Sequence, residues 1–176
     1  SATLNEPYLQ SAPMVYKVGN SEWHMFYISG IQWIKGKERV ESQYVLMHAI
    51  STDGIHWIRN GKAILPEMVE YESQVSAAIM QINKKYHLFF CYRYGLDFRN
   101  AKDRGYKIGY ASSDDLINWH RDDSKAGIEV SESGWDSEML AYPSIMKINE
   151  KHIMFYCGNN FGENGFGYAE LENLMK

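Results

Sequence analysis

The sequence predicts an all-β fold of β-propeller-type blades, three in a row with the last one incomplete, a partial or half propeller. Three observations carry this. Short runs rich in aromatic and β-branched residues alternate with clusters of Gly, Asn, Asp and Ser, the pattern of strands joined by hairpins. The runs recur, with Pro13, Ala78 and Pro143 opening three units at an equal spacing of 65 residues. A full unit holds four such runs, the strand count of a propeller blade. The repeats cover about 11–62, 76–121 and 141–171 of a single domain, 1–176.

The second unit shows the plan most fully. Ala78-Ile79-Met80-Gln81-Ile82 is its inner strand, turned by Asn83-Lys84-Lys85 into the aromatic run 86–92. A polar loop, 94–105, leads to a third run, 106–112, and Ser113-Asp114-Asp115-Leu116-Ile117-Asn118-Trp119 closes the unit. In the first unit, 14–18 is the inner strand, Gly19-Asn20-Ser21 the turn and 23–29 the return. Residues 30–41 read as a loop, 44–50 as the third strand, and Asp53-Gly54 as a tight turn into a fourth strand at Trp57-Ile58-Arg59. The third unit stops at Tyr168-Ala169-Glu170-Leu171, with no Asp-Gly turn and no closing Trp. Residues 1–10 read as a loose terminus or an extra edge strand, and 171–176 as a short helical or frayed tail.

Composition narrows the function. The formal net charge is −4, with no basic stripe, which argues against nucleic acid. No apolar run is long enough to span a membrane and no secretory leader opens the chain, so a cytoplasmic location is expected. Cys91 and Cys157 occupy one repeat position, which predicts apolar thiols rather than a disulfide or metal pair. The histidines form no ligand pair, and neither a metal nor a cofactor is expected. His24, His87 and His152 read as sheet residues, Asp53 and Asp114 as turn residues, and Trp57 and Trp119 as blade packing.

Strand alternation sorts the loops. First-to-second and third-to-fourth turns share one face and are short. Second-to-third loops and blade-to-blade crossings share the other, and are long, charged and aromatic, which makes that face the candidate site. Glu72, Asp136 and Glu138 lie in the crossings and are the candidate acids, since glycoside chemistry needs paired carboxylates. Arg93, Asp97 and Arg99 are expected to grip hydroxyls or a carboxylate, Asn159 and Asn160 to bond sugar hydroxyls, and Trp33, Trp135 and Tyr142 to complete a substrate surface.

The chain resembles a bacterial glycosyl-hydrolase-like family of the five-bladed propeller type, a fold shared with arabinanases, invertases and levansucrases. The resemblance rests on Ser11-Ala12-Pro13, Asp97-Phe98-Arg99, the run 106–111, Gly134-Trp135-Asp136-Ser137-Glu138-Met139 with Tyr142-Pro143, and Gly158-Asn159-Asn160-Phe161-Gly162. It implies that these are the C-terminal blades only, and that the general base of the related hydrolases falls in an absent first blade. Where those enzymes place the acid Glu, before the inner-strand Pro, this chain has Ser11, Ser76 and Ala141. The expected function is a sugar-binding, glycosidase-like domain that is not a competent hydrolase alone. The alternatives are a hydrolase completed by oligomerisation, a dimer being favoured, and a structural module.

Overall fold

The structure, a computed structural model, describes residues 6–171. Three antiparallel sheets follow one another along the chain. The first blade is β1 (Gln10–Val18), β2 (Glu22–Lys35), β3 (Val40–Ser51) and β4 (Ile58–Ala63), paired in that order. The second is β5 (Ser73–Ile82), β6 (Lys85–Arg93), β7 (Lys107–Ser113) and the two-residue β8 (His120–Arg121). The third is β9 (Ala141–Ile148), β10 (Lys151–Cys157) and β11 (Phe166–Glu170), with no fourth strand among the described residues. The chain is therefore all-β, three consecutive blades with the last incomplete.

The inner strand of each blade is bulged, which corrects the equal spacing. Phe26, Phe89 and Phe155 are equivalent second-strand residues, and they pair with Met14, Ala78 and Ser144. Pro13 therefore corresponds to Ala77, not Ala78, and the spacings are unequal. In each blade one extra inner-strand residue is accommodated in the left-handed region: Ala12 (φ 49°), Ser76 (φ 60°) and Tyr142 (φ 57°). A bulge shifts the register by one residue, and a pattern match blind to it slips by the same amount.

The expected loop 30–41 is mostly strand. β2 runs on to Lys35 and β3 begins at Val40, so a long hairpin projects from the first blade and turns over 36–39. The short-turn face follows the expectation. Asn83 and Lys84 both have positive φ, 51° and 67°, a two-residue turn whose twist matches its strands. In the third-to-fourth turns, the Asp53 carboxylate accepts from the Ile55 and His56 amides at 2.8 Å each. Its counterpart is Asp115, not Asp114: Asp115 accepts from the Ile117 and Asn118 amides at 2.9 and 2.7 Å. Gly54 (φ 76°) and Leu116 (φ 63°) take the same left-handed place.

One core runs between the blades. Phe26 and Leu46 of the first blade, Leu88, Phe89 and Phe90 of the second and Met154 of the third are all essentially inaccessible. Each such side chain contributes about 1.5–3 kcal/mol of burial. Alternation gives β2 and β3 a second apolar face, Tyr27, Val45, Met47 and Ala49, turned away from that core. Tyr27 and Ala49 of this face line, with Pro13, Met25 and Trp57, a groove of about 260 Å³ on the outer flank of the first blade. The third blade has an open flank, where Met146, Ile148, Phe166 and Tyr168 are exposed. Leu9 accepts from the Gly30 amide at 2.8 Å, so residues 8 and 9 run beside the first blade rather than completing the third. The rest of the expected N-terminal segment, 1–5, and the tail 172–176 lie outside the described residues. Among the described residues no helix is long and apolar enough to cross a membrane, and no group of three or more His, Cys, Asp or Glu is placed to hold a metal.

Candidate functional site

The loop 94–105 is the centre of the long-loop face. It is closed on itself by the Tyr94 amide donating to the Arg104 carbonyl at 3.3 Å and by Arg104 Nε donating to the Leu96 carbonyl at 2.9 Å. The Gly95 amide ties it to the Glu70 carbonyl of the first crossing at 3.2 Å. The closure turns Phe98 inward and leaves Asp97 and Arg99 exposed. The Arg93 guanidinium stands 3.6 Å from the centre of the Phe98 ring and that of Arg99 stands 4.2 Å from it. Two cations that close to one ring must lie on opposite faces, so Phe98 separates a buried arginine from an exposed one. Arg99 also pairs with Glu41 of β3 at 3.3 Å, joining the loop to the first-blade hairpin.

The second crossing is held by Asn159. Its Oδ1 accepts from the amides of Glu138 and Met139 at 2.8 and 3.1 Å, and its Nδ2 donates to the Gly134 carbonyl at 3.0 Å. Trp135 stacks on Tyr156 at 5.4 Å and wedges between Gly158 and Gly167, where an added Cβ would lie within 2.6 Å of its ring. Asp136 is buried and accepts from the Tyr156 hydroxyl at 3.0 Å. Glu138 thereby reaches the surface, paired with Lys102 of the opposite loop at 2.5 Å. Beyond Asn159 the chain turns through Asn160 (φ 53°) and Phe161 (φ 60°). A left-handed phenylalanine costs on the order of 1–3 kcal/mol and persists only where its surroundings hold it. Here Phe161 is held edge-on against Phe98 and Tyr106.

These segments enclose a cleft of about 450 Å³ lined by Arg99, Lys102, Glu138, Asn160, Phe161 and Glu163 over a floor of Phe98 and Met139. A second recess of about 220 Å³ adjoins it, between residues 36–41 of the hairpin and Asp97, Phe98 and Arg99. Of the residues singled out from the sequence, Arg99, Glu138 and Asn160 meet in the larger cleft and Asp97 in the smaller. Arg93 lies beneath Phe98. Tyr142 is exposed beside Tyr106, with ring centres 5.7 Å apart, and burial of the rest of its ring pushes its phenol up to about 12. Trp135, Asp136 and Asn159 are supports under the cleft, already committed to protein partners.

Two residues are set apart. Glu72 is fully buried and accepts from Arg121, Gln74 and the amides of Met68 and Val69, so it faces no cleft. Trp33 packs edge-on against Tyr8 at 6.1 Å. Its neighbour Ile34 is buried toward Gly95, and alternation along β2 turns Trp33 the other way. Sequence reasoning passed over Lys102, Tyr44, Tyr106 and Phe161 as site residues. The signal for Phe161 was its place between Asn160 and Gly162, both turn formers.

No family model matches the sequence. An uncharacterized protein of Mycobacterium tuberculosis is 29% identical over 169 residues, which is 96% of this chain and 52% of that protein. Among solved structures, a glycoside hydrolase superposes with a TM-score of 0.72 at 21% identity, covering 99% of this chain and 49% of that one. A family 117 glycoside hydrolase from the marine bacterium Zobellia galactanivorans gives 0.67 at 19% identity, covering 92% and 50%. The chain spans about half the length of each of these proteins. Its three blades thus have the fold of the glycoside-hydrolase propellers, over about half of such a chain.

Proposed function

We propose that the long-loop face binds a carbohydrate, as the recognition half of a glycosidase-like propeller. The observation that carries this reading is the larger cleft. It sets charged and amide side chains, Arg99, Lys102, Glu138 and Asn160, around an exposed aromatic, Phe161. Sugars offer hydroxyls to the first and an apolar C–H face to the second. Glycosidic hydrolysis by the usual route needs two carboxylates flanking the bond. Asp136 and Glu72 are tied up in the protein, and Glu138, which faces the cleft with Glu163, is already paired with Lys102. We therefore propose weak or no turnover by the chain alone. On a glycan panel, a bound sugar should lose roughly tenfold or more in affinity with Arg99→Ala or Glu138→Gln, the scale of a charge-assisted hydrogen bond. Trp33→Ala should change nothing. Binding indifferent to the first two changes refutes the site, and brisk hydrolysis abolished by Glu138→Gln refutes the non-hydrolytic half.

A second reading rests on the open flank of the third blade. A second copy packed against the face of the third blade would cover its exposed Met146, Ile148, Phe166 and Tyr168. Light scattering over a dilution series should then show a dimer, weakened by Phe166→Asp. A monomer at every concentration excludes this reading.

A further inference from the structure

We infer that the ligand of this face is an acidic sugar, whose carboxylate is received by the phenol of Tyr44, backed by the buried Tyr106 and Arg93. The inference rests on the carbohydrate reading and narrows its substrate class.

The first ground is charge. The chain has six arginines, and five of them have a carboxylate within 4.0 Å: Arg39 and Arg99 on Glu41, Arg59 on Glu6, Arg104 on Glu70, and Arg121 on Glu72 and Asp123. Arg93 alone has none among the described residues, although it is only 3% exposed. Its Nη1 donates to the Tyr94 carbonyl at 2.8 Å, its Nη2 to the Tyr44 hydroxyl at 3.2 Å, and its Nε has no partner. A buried cation without an anion is costly, and an incoming anion gains what the protein has left uncompensated.

The second ground is proton counting. The Tyr44 hydroxyl accepts from Arg93 and shares one hydrogen bond with the Tyr106 hydroxyl. Two phenols bring two protons. The bond between them uses one, whichever of the pair donates. The other has no acceptor among the described residues. The cluster is therefore a chain of donors that starts at a guanidinium and ends in a free O–H, polarised by the charge behind it. Burial, and then the neighbouring Tyr44, hold the Tyr106 phenol well above its ordinary range, so it stays a donor. Tyr106 is fully buried and Tyr44 half-buried, so a ligand meets the pair at Tyr44, whose hydroxyl is the free end when Tyr106 donates to it. Neutral hydroxyls can fill an acceptor place, but a carboxylate also supplies the missing charge.

The test is calorimetric titration of the full chain at neutral pH and low salt with glucuronate, galacturonate, the corresponding neutral sugars, and inorganic phosphate. An acidic sugar should bind about tenfold or more tightly than its neutral counterpart, the margin of a charge-assisted bond. Tyr44→Phe should remove most of that margin, weakening the acidic sugar more than its neutral counterpart. Arg93→Gln should abolish it, and if that variant does not fold, Tyr44→Phe decides. Equal binding of acidic and neutral sugars overturns the inference while the carbohydrate reading stands. Phosphate binding without acidic-sugar preference also overturns it. No binding of any sugar overturns both.

Discussion

Replacing Arg121 by Leu should destabilise the fold by about 3–5 kcal/mol, the cost of stranding a buried charge. For a chain of this size that lowers the melting temperature by roughly 6–20 °C. Arg121 is the clasp between the first crossing and the last strand of the second blade. Its Nη1 donates to Glu72 Oε1 at 2.6 Å and to the Pro66 carbonyl at 2.6 Å, and its Nη2 donates to Asp123 at 2.8 Å. The guanidinium lies over the rings of Tyr92 and Phe90. Without it, the Glu72 carboxylate is left buried with no cation beside it. The Glu72→Gln change made in the same chain should recover part of the loss, because the stranded charge is gone while amide acceptors remain for Met68 and Val69. Thermal and urea unfolding of the single and double variants measure this. A loss below about 1 kcal/mol for Arg121→Leu would mean that the clasp is ornamental.

Acid should weaken the fold between pH 6.5 and about 4, before most carboxylates titrate. The group responsible is His48. Burial, and then the neighbouring His24, pull it down from 6.5 to about 4. Its Nε2 is 2.9 Å from His24 Nδ1, its ring stacks on Phe26, and His24 Nε2 in turn meets Glu22 at 2.9 Å. The folded state thus holds His48 neutral while the unfolded chain takes up a proton below 6.5. Stability is full above 6.5, falls as pH drops, and levels off once the folded state also protonates near 4. The total is at most roughly 3.5 kcal/mol, at about 1.4 kcal/mol per pH unit. His87, lowered by burial and then by Lys85, adds in the same direction. Urea midpoints at pH 7.5, 5.5 and 4.5 should fall in the parent, and His48→Gln should flatten that slope. Identical slopes in the two proteins would remove His48 as the cause.

What the sequence alone determined is the periodic part of the molecule. Strand runs, the two-residue turn at Asn83-Lys84 and the Asp-centred turns before Trp57 and Trp119 follow from local rules, so blade class and the sorting of loops onto faces were legible. The candidate site was legible only as a set of loops. Register was not, because the bulges at Ala12, Ser76 and Tyr142 leave no mark in residue type. The hairpin 30–41 read as a loop because Lys35-Gly36-Lys37-Glu38-Arg39 is charged and broken by glycine, and its strand state comes from cross-strand pairing rather than propensity. Roles within the loops were decided by the tertiary structure. Glu72 and Glu138 both sit in crossings, yet Arg121, which pairs with one from 49 residues away, draws it inside. Arg93 and Arg99 are six positions apart, and the closure of one loop places a phenylalanine between them, one cation buried and one in solvent. Charge and polarity belong to the residue, but solvent exposure belongs to the packing, and exposure decides whether a charged group supports the fold or meets a ligand.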